Sequence, residues 1–336
     1  MSALATGARV APTRRAVVFA YHNVGVRCLK VLLAGGVDVV LVVTHEDSAG
    51  ENIWFESVAN LCRMEGIACI TPADANAPEL LAQVQAARPD LMFSFYYRNM
   101  LPQALLAVAP AFNMHGSLLP QFRGRAPVNW AVLHGALETG ASLHEMTVKP
   151  DAGAIVAQSA VPILPDDTAY DVFGKVTVAA EQALWQVLPA LLDGSAPRAP
   201  NDLREGGYFG GRKPEDGRID WSQPAQQVYN LHRAVAPPYP GAFTDVAGQR
   251  YVIERARLSR QDGGKAHGKL PPGLAVVDNC IVGVCGDGRL LAISSLLADG
   301  VRVTQQQLQL QLQQQLQQRL ANPACIDAAG SDADNT

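Results

Sequence analysis

The segment that decides the fold runs over residues 15–43 and reads RAVVFAYHNVGVRCLKVLLAGGVDVVLVV. Its two apolar runs, residues 15–20 and 37–43, have the composition of strands that are buried on both faces of a parallel sheet. A turn around Asn23 and Gly25 is predicted between them, followed by leucines at helical spacing. A strand, a helix and a second strand in this order predict a parallel pair joined by a right-handed crossover.

The same alternation continues to residue 96. Helices are predicted over residues 53–65 and 78–87, and further strands over residues 66–70 and 90–96. This pattern predicts an α/β fold with a Rossmann-like, doubly wound, mostly parallel sheet. The turn after the first strand carries one glycine instead of G-x-G-x-x-G, so a bound nicotinamide dinucleotide is not expected.

The character of the sequence changes after a long predicted helix over residues 168–193. The catalytic domain is predicted over residues 14–200, and short β-rich runs predict a small C-terminal domain over residues 205–303, either a β-barrel of the OB type or a sandwich. Residues 1–13 are predicted to be a disordered lead-in, and residues 304–336 a glutamine-rich helix with a disordered tail. The leucines of that helix recur at every fourth position and predict one apolar stripe: Leu308, Leu312, Leu316 and Leu320.

Composition limits the function classes. Hydrophobic residues make up 48% of the 336 and charged residues 17%, which excludes a globally disordered chain. The 27 basic and 31 acidic residues give a net charge of -4, so nucleic acid is not an expected partner. The six cysteines are scattered without C-x-x-C spacing, which predicts no metal site and a reducing, cytoplasmic location. No apolar run is long enough for membrane insertion, and no oligomeric state is predicted.

Residues 111–158 carry the candidate chemistry and read AFNMHGSLLPQFRGRAPVNWAVLHGALETGASLHEMTVKPDAGAIVAQ. Asn113 and His115 alternate across a predicted strand end, so both side chains can point to one face. A loop bearing Arg125 follows, and a later loop presents Asp151. Each motif alone is typical of a turn or of a core histidine with satisfied hydrogen bonds, but their ordered combination indicates a functional site.

The ordered motifs resemble the signature of the folate-dependent formyltransferase family. That signature combines Asn-x-His, Ser-Leu-Leu-Pro, an Arg-Gly loop and Asp-x-Gly. The matching residues here are Asn113-Met114-His115, Ser117-Leu118-Leu119-Pro120, Arg123-Gly124 and Asp151-Ala152-Gly153. The resemblance extends from about residue 15 to about residue 300.

Within the family, the chain is more similar to the enzymes that formylate UDP-4-amino-4-deoxy-L-arabinose than to methionyl-tRNA formyltransferases. That likeness lies in residues 19–22, 44–45, 93–98 and 123–130. It implies a role in lipid A modification and polymyxin resistance. It also implies a Rossmann-like catalytic domain with small-molecule substrates.

The resemblance implies transfer of a formyl group from N10-formyltetrahydrofolate to an amine. Asn113 is then predicted to donate its amide to the developing oxyanion, and His115 to donate a hydrogen bond or a proton. Asp151 is predicted to accept a proton and to orient His115. Because the substrate amine is the nucleophile, Ser117 is interpreted as structural; it also lacks the Gly-x-Ser-x-Gly context. No metal is expected.

The resemblance also implies binding residues. Two segments are predicted to hold the folate: Asn99-Met100-Leu101, and Thr147-Val148-Lys149-Pro150. Backbone groups flanked by apolar side chains suit a flat pterin ring. Arg125 is predicted to contact the acceptor's phosphates, because a dianion favours a guanidinium partner. Arg212 and Lys213 are predicted to do the same, with a solvated turn before Pro214 as the alternative.

Several function hypotheses stay open. The first is N-formylation of a UDP-linked amino sugar, and several nucleotide-linked 4-amino and 3-amino sugars suit the same chemistry. A methionyl-tRNA formyltransferase needs a basic surface, whereas residues 45–51 read HEDSAGE and are acidic. A phosphoribosylglycinamide formyltransferase does not explain the second domain. A formyltetrahydrofolate-hydrolysing or folate-binding protein is a further alternative, because water can replace the amine.

His134 and His144 are interpreted as packing or surface residues.

Overall fold

The computed structural model describes residues 13–48, 50–259 and 270–321, with side chains up to residue 314. The lead-in predicted before residue 13 and the tail predicted after residue 321 lie outside the described residues. The chain divides into two compact units. The first comprises the residues up to 131 together with Ala136–Leu164 and Asp171–Gly211. The second comprises Val132–Gly135, Pro165–Tyr170 and the residues from 212 onwards.

The first unit is built on a seven-stranded sheet. The strands of this unit, in the described residues, are β1 (Arg15–Ala20), β2 (Asp38–Val43), β3 (Cys69–Ile70), β4 (Leu91–Phe95), β5 (Ala111–His115), β6 (Arg123–Gly124), β7 (Glu138–Glu145), β8 (Ile155–Pro162) and β9 (Tyr208–Phe209), and seven of them form the sheet. The sheet has the order β3-β2-β1-β4-β5-β7-β8, and β6 and β9 form a separate parallel pair. The strands β3, β2, β1, β4 and β5 run parallel to one another, whereas β7 is antiparallel to both β5 and β8. The predicted mostly parallel, Rossmann-like sheet is confirmed.

Helices connect these strands. The α-helices of the described chain are α1 (His22–Ala34), α2 (Val58–Glu65), α3 (Pro78–Ala87), α4 (Gln103–Leu106), α5 (Pro127–Leu133), α6 (Ala169–Asp193), α7 (Ala225–Val235) and α8 (Gln305–Ala321), with a 3-10 helix over Pro214–Gly217. Every residue of β4 is buried, and β1 is buried from Ala16 onwards. Such apolar strands are expected at the centre of a parallel sheet whose two faces are both covered.

The turn predicted around Asn23 and Gly25 is wrong, because α1 begins at His22, directly after β1. Gly25 permits this close helix start. A Cβ atom at Gly25 would lie 3.2 Å from the carbonyl carbon of Ala20 and 3.2 Å from Cγ2 of Val58, which is tighter than an ordinary contact. The missing side chain therefore lets the first helical turn pack against the strand that precedes it.

The helix predicted over residues 53–65 is shorter than expected, because α2 begins only after Ser57. Ser57 is extended, and its hydroxyl oxygen accepts a hydrogen bond from the Asn60 N–H at 3.2 Å, which is N-cap geometry. Phe55 lies before this cap and stacks on His22, with ring centroids 3.9 Å apart. An aromatic contact with the first residue of α1 thus replaces the predicted first helical turn.

The second unit contains an antiparallel sheet. Its strands are β10 (Ala242–Val246), β11 (Gln249–Leu258), β12 (Gly273–Val277), β13 (Cys280–Val284), β14 (Leu290–Ala298) and β15 (Val301–Arg302). They follow the order β10-β11-β14-β13-β12, with β15 beside β14. Trp221, Tyr229 and Ile253 belong to its core. The prediction of a β-rich C-terminal unit after an α/β unit is confirmed.

The glutamine-rich segment forms α8, as predicted. Leu308 is fully buried in the core of the second unit, and Leu312 packs against that core. The side chains of Leu316 and Leu320 lie outside the described residues. The first half of the predicted leucine stripe therefore has a packing role, since burial of an apolar side chain stabilises the fold.

Candidate active site

Four polar side chains meet on one face of the sheet of the first unit. Asn113 and His115 lie two residues apart on β5 and therefore point to the same side. β7 is antiparallel to β5, and the register places His144 opposite Asn113. Asp151 reaches these side chains from the loop over residues 146–154, between β7 and β8.

The four side chains form what we call the polar cluster. Asn113 Nδ2 lies 3.1 Å from His144 Nε2. The Oδ1 atom of Asp151 lies 3.6 Å from His115 Nδ1 and 3.5 Å from His144 Nε2. The exposed fractions of the side chains are 6% for His115, 2% for His144 and 11% for Asp151. The electrostatic interactions in the cluster are therefore only weakly screened by water.

The loop between β5 and α5 contacts the cluster through its backbone. The carbonyl of Phe122 lies 2.9 Å from His115 Nε2, and the N–H of Gly124 donates to Asp151 Oδ2 at 2.8 Å. Gly124 has a left-handed φ of 97°, and a Cβ atom there would lie 2.1 Å from the carbonyl oxygen of Phe209. Only glycine fits this position, which explains the Arg-Gly loop in physical terms.

Ser117 supports the same loop. Its hydroxyl donates to the Gln121 carbonyl at 2.5 Å, and its own carbonyl accepts from the Ser142 hydroxyl at 2.6 Å. Ser117 is fully buried. These contacts agree with the structural interpretation of Ser117, because the hydroxyl is engaged within the loop.

The backbone around Asp151 is constrained. Asp151 has a left-handed φ of 49°. Asn201 donates through Nδ2 to the carbonyls of Asp151 and Gly153, at 3.0 and 3.1 Å. A Cβ atom at Gly153 would lie 2.0 Å from the Glu145 carbonyl oxygen, so no side chain fits there. The Asp-x-Gly motif thus combines a carboxylate with a residue that lets the loop close tightly over β7.

The hydrogen bonds assign the tautomer of His115. A carbonyl oxygen can only accept, so the contact with Phe122 requires that Nε2 carry the hydrogen. In the neutral ring the lone pair is then on Nδ1, the atom that faces the Asp151 carboxylate. A proton that arrives at Nδ1 is stabilised by that negative charge. The Phe122 carbonyl holds one ring nitrogen of His115 and Asp151 faces the other, so orientation of His115 by Asp151 stays a prediction.

A carbonyl contact also assigns the tautomer of His144, and in that tautomer His144 orients Asn113. Its Nδ1 donates to the Glu145 carbonyl at 2.8 Å, which leaves Nε2 to accept from the Asn113 amide. One amide hydrogen of Asn113 is thereby fixed, and the other is left to donate to a ligand. Of the two interpretations of His144, a surface position is wrong; the residue is buried, and besides packing there it contacts both Asn113 and Asp151. His134, by contrast, is exposed.

Burial and charge set the protonation of the cluster. Burial alone would raise the pKa of Asp151, but the attraction of His115, the neighbouring His144 ring and the hydrogen bond that Gly124 donates outweigh it and lower the pKa to about 2. Burial lowers the pKa of His115, against the opposing effects of Asp151 and the Phe122 carbonyl. At neutral pH the cluster therefore pairs an ionised carboxylate with a neutral imidazole that can accept a proton.

The predicted acceptor-binding residues lie in both units. Arg125 is exposed on the loop of the first unit, and its guanidinium makes no hydrogen bond or ion pair with any residue in the described ranges. Arg212 and Lys213 belong to the second unit. There the Arg212 Nη2 donates to the Asp216 carbonyl at 3.0 Å, and the Lys213 N–H donates to Asp216 Oδ2 at 2.6 Å. Their contact with an acceptor stays a prediction.

The two predicted folate segments both flank the sheet of the first unit. Leu101 is buried in a core cluster against which Met146 also packs, so both segments adjoin the same cluster. Met100 and Val148 expose 57% and 64% of their side chains. Asn99 is exposed on the loop after β4. The Thr147 hydroxyl donates to the Lys149 carbonyl at 2.8 Å, next to Pro150. Folate binding by these residues stays a prediction.

Two further findings concern other kinds of site. In the part of the chain that the structure describes, no group of three or more His, Cys, Asp or Glu side chains could hold a metal ion. The described helices include none with the length and apolar character needed to span a membrane.

Comparison with known proteins identifies the class. Residues 16–188 match the family model described as formyl transferase, and residues 212–310 match the model described as formyl transferase, C-terminal domain. The chain therefore belongs to the formyl transferase family. It is an enzyme of the formyltransferase class, as the ordered Asn-x-His and Asp-x-Gly motifs predict.

Solved structures share the fold. An N-formyltransferase from Helicobacter canadensis, in complex with folinic acid and dTDP-3-aminofucose, is 18% identical with a TM-score of 0.67, over 84% of this chain and 99% of that chain. WlaRD, a sugar 3N-formyl transferase studied with dTDP and 5-N-formyl-THF, is 18% identical with a TM-score of 0.66, over 84% and 97%. HypX from Aquifex aeolicus, in complex with tetrahydrofolic acid, is 18% identical with a TM-score of 0.59, over 88% of this chain and 46% of that chain. At these identities the likeness concerns the fold.

Proposed function

We propose that this formyltransferase moves the formyl group of N10-formyltetrahydrofolate to the amine of a UDP-linked amino sugar, specifically UDP-4-amino-4-deoxy-L-arabinose. The observation that supports the proposal is the polar cluster, because Asn113, His115 and Asp151 have the chemistry that acyl transfer to an amine needs. The reaction would take place in the cytoplasm and serve lipid A modification and polymyxin resistance.

The cluster supplies the groups that the transfer needs. The free amide hydrogen of Asn113 can donate to the formyl oxygen as negative charge develops on it. Neutral His115 can accept, at Nδ1, the proton that the attacking amine loses, and Asp151 stabilises the imidazolium that results. His115 then returns this proton to the nitrogen that leaves. One C–N bond forms, one C–N bond breaks, and the proton passes between the two nitrogens.

The folate segments support the donor assignment. A folate supplies the formyl group, and its pterin needs backbone donors and acceptors beside apolar surface. Met100 and Val148 expose apolar side chains, and both lie on loops that adjoin one core cluster. These features fit the predicted pterin contacts. Two of the structurally similar proteins are described with folinic acid or 5-N-formyl-THF.

The exposed cation of Arg125 supports a phosphorylated acceptor. Its guanidinium has no protein partner among the described residues, and its backbone adjoins Gly124, which hydrogen-bonds to Asp151. A free guanidinium beside the reacting groups suits a diphosphate. The same two structurally similar proteins are described with dTDP-3-aminofucose or dTDP. A nucleotide diphosphate-linked amino sugar meets both conditions, since it carries the charge and the amine.

The charge pattern disfavours methionyl-tRNA as the acceptor. The segment after β2 carries Glu46, Asp47 and Glu51, and the net charge of the chain is -4. Arg98 pairs with Glu51, whereas within the described residues Glu46 and Asp47 accept hydrogen bonds from the neutral side chains of Thr71 and Tyr21. Binding of a tRNA acceptor stem depends on phosphate neutralisation, which such a surface does not favour.

The test is a product analysis. Purified protein is incubated with N10-formyltetrahydrofolate and a panel of UDP- and TDP-linked 4-amino and 3-amino sugars, and each product is identified by mass. We expect formylation of UDP-4-amino-4-deoxy-L-arabinose, and loss of that product in Asn113→Ala. Formylation of another sugar alone would contradict the named substrate. Formate release without transfer to any amine would favour a formyltetrahydrofolate hydrolase.

A further inference from the structure

A row of three side chains crosses the sheet of the first unit, from the polar cluster to β8. The strand register pairs His115 on β5 with Ser142 on β7, and Ser142 with Gln158 on β8. Residues that are paired across antiparallel strands project from the same face of a sheet. Ser142 is fully buried, whereas Gln158 is exposed. The row therefore leads from a buried imidazole to an exposed amide.

The Ser142 hydroxyl makes every hydrogen bond that a hydroxyl can make. It donates to the Ser117 carbonyl at 2.6 Å and accepts from the Leu119 N–H at 2.9 Å. It also accepts from Nε2 of Gln158 at 2.8 Å, and the same Nε2 donates to the Leu119 carbonyl at 2.9 Å. A hydroxyl has one hydrogen and two lone pairs, so these three contacts use its full capacity. We call Ser142 and Gln158 the loop anchor.

The loop anchor holds the first residues of the loop between β5 and α5. These residues close into a compact turn, because the Ser117 hydroxyl donates to the Gln121 carbonyl at 2.5 Å and the Gln121 N–H donates to the Leu118 carbonyl at 2.9 Å. The next residue, Phe122, presents its carbonyl to Nε2 of His115 at 2.9 Å. A short series of hydrogen bonds thus runs from the loop anchor to the imidazole.

We propose that Ser142 and Gln158 are positioning residues of the formyl transfer. By anchoring the turn to the sheet, they keep the Phe122 carbonyl on Nε2 of His115. This inference rests on the proposed role of His115, which needs the ring hydrogen on Nε2 and the lone pair on Nδ1. The Asp151 carboxylate lies 3.6 Å from Nδ1 and would favour a hydrogen there if the carbonyl moved away. In that tautomer His115 could not accept the proton of the amine at Nδ1.

NMR on the whole chain, with ¹⁵N in the histidine rings, tests the inference independently of turnover. The two nitrogens of a neutral imidazole differ in chemical shift according to which one carries the hydrogen, and the signals of His115 are identified by their loss in His115→Gln. At neutral pH we expect the hydrogen on Nε2 in the wild type, and a shift of part of it to Nδ1 in Ser142→Ala.

Kinetic measurements on Ser142→Ala give the second readout. Single-turnover formylation should slow about 10-fold to 100-fold, because a small displacement of a reacting group is enough for such a loss. The dissociation constant of folinic acid should stay the same, since Ser142 acts on the position of His115 and not on the donor.

Matched variants separate positioning from general damage. Gln158→Met removes both donors at an exposed residue and leaves the core intact, so it should act in the same direction to a smaller extent, and it decides if Ser142→Ala does not fold. Thr139→Val is the control on the same strand, β7. It also removes a buried hydroxyl, but one whose oxygen has no hydrogen-bond partner among the described residues. It should change neither the tautomer nor the rate.

The outcomes separate this inference from the proposed function. The same His115 tautomer in the wild type and in both anchor variants would overturn the inference, and so would a moved hydrogen with an unchanged rate. A wild-type hydrogen on Nδ1, or an equal loss of rate in Thr139→Val, would also overturn it. A hydrogen that moves in the anchor variants, with no formyl transfer to any amino sugar by the wild type, would contradict the proposed function alone.

Discussion

Replacing Asp151 by asparagine removes one negative charge and little else. The asparagine has nearly the same shape, and its carbonyl oxygen can still accept the hydrogen bond that Gly124 donates at 2.8 Å. The loop closure by Asn201 uses backbone carbonyls and does not depend on the carboxylate. The variant therefore isolates the electrostatic effect of Asp151 on a proton held by His115.

The size of that effect follows from one distance. Asp151 Oδ1 lies 3.6 Å from His115 Nδ1. At an effective dielectric constant of about 20, a carboxylate and an imidazolium at that separation attract by about 4.5 kcal/mol. If the imidazolium is fully formed in the transition state, loss of this attraction lowers the rate about 10³-fold. General acid–base groups contribute roughly 10²-fold to 10⁴-fold, which brackets this value.

Single-turnover formylation, followed by mass, measures the chemical step of Asp151→Asn directly. Folinic acid binding and the unfolding temperature serve as controls, and both should stay close to the wild type. His115→Ala should cost a similar factor, and the double variant little more, because the two residues act as one unit. A rate within tenfold of the wild type, with normal folding and folate binding, would refute the proton-transfer argument.

Four other predictions follow from the structure and the sequence. His144→Gln should lower the rate roughly tenfold to a hundredfold with little change in folate affinity, because it disturbs the orientation of Asn113. An equal loss of rate and of folinic acid binding would instead indicate a general structural role. Because burial lowers the pKa of His115 and the neutral ring is the proton acceptor, kcat/KM should be constant across neutral pH and fall only below pH 6.5, which a pH–rate profile checks. Leu308→Ala should lower the free energy of unfolding by about 2–5 kcal/mol in urea titrations, because Leu308 is fully buried. Truncation after Ala321 should leave activity unchanged, and a large loss would show that the end of the chain takes part in the reaction.

The sequence predicts the central strands and α3 well, because their signals are local. β1 matches the predicted run over residues 15–20, and α3 begins at Pro78, a residue favoured in the first turn of a helix. The start of α1 is not predictable in the same way. It depends on how closely Gly25 approaches Ala20 in the folded chain, and a glycine in a sequence is as compatible with a turn as with a close helix contact.

The same distinction applies to the candidate site: residues with a local sequence signal can be predicted, and contacts that arise only in the folded chain cannot. The candidate residues Asn113, His115 and Asp151 are predicted from their order in the sequence, and the structure brings their side chains together. The contribution of His144 depends on the antiparallel register of β5 and β7, which pairs residues 31 positions apart. Its place in an apolar strand just before Asp-x-Gly is a weak signal, because a buried histidine there is also typical of packing. The role of the Phe122 carbonyl is a backbone contact, and side-chain patterns carry no information about it.

The identity of the acceptor is tested most directly by competition. UDP-4-amino-4-deoxy-L-arabinose and methionyl-tRNA are supplied at equal concentration with N10-formyltetrahydrofolate, in low salt, where electrostatic binding of tRNA is strongest. We predict that the amino sugar is formylated and that methionyl-tRNA is not, and that Arg125→Ala slows turnover of the sugar nucleotide more than it weakens folate binding. Faster formylation of methionyl-tRNA under these conditions would contradict the proposed acceptor.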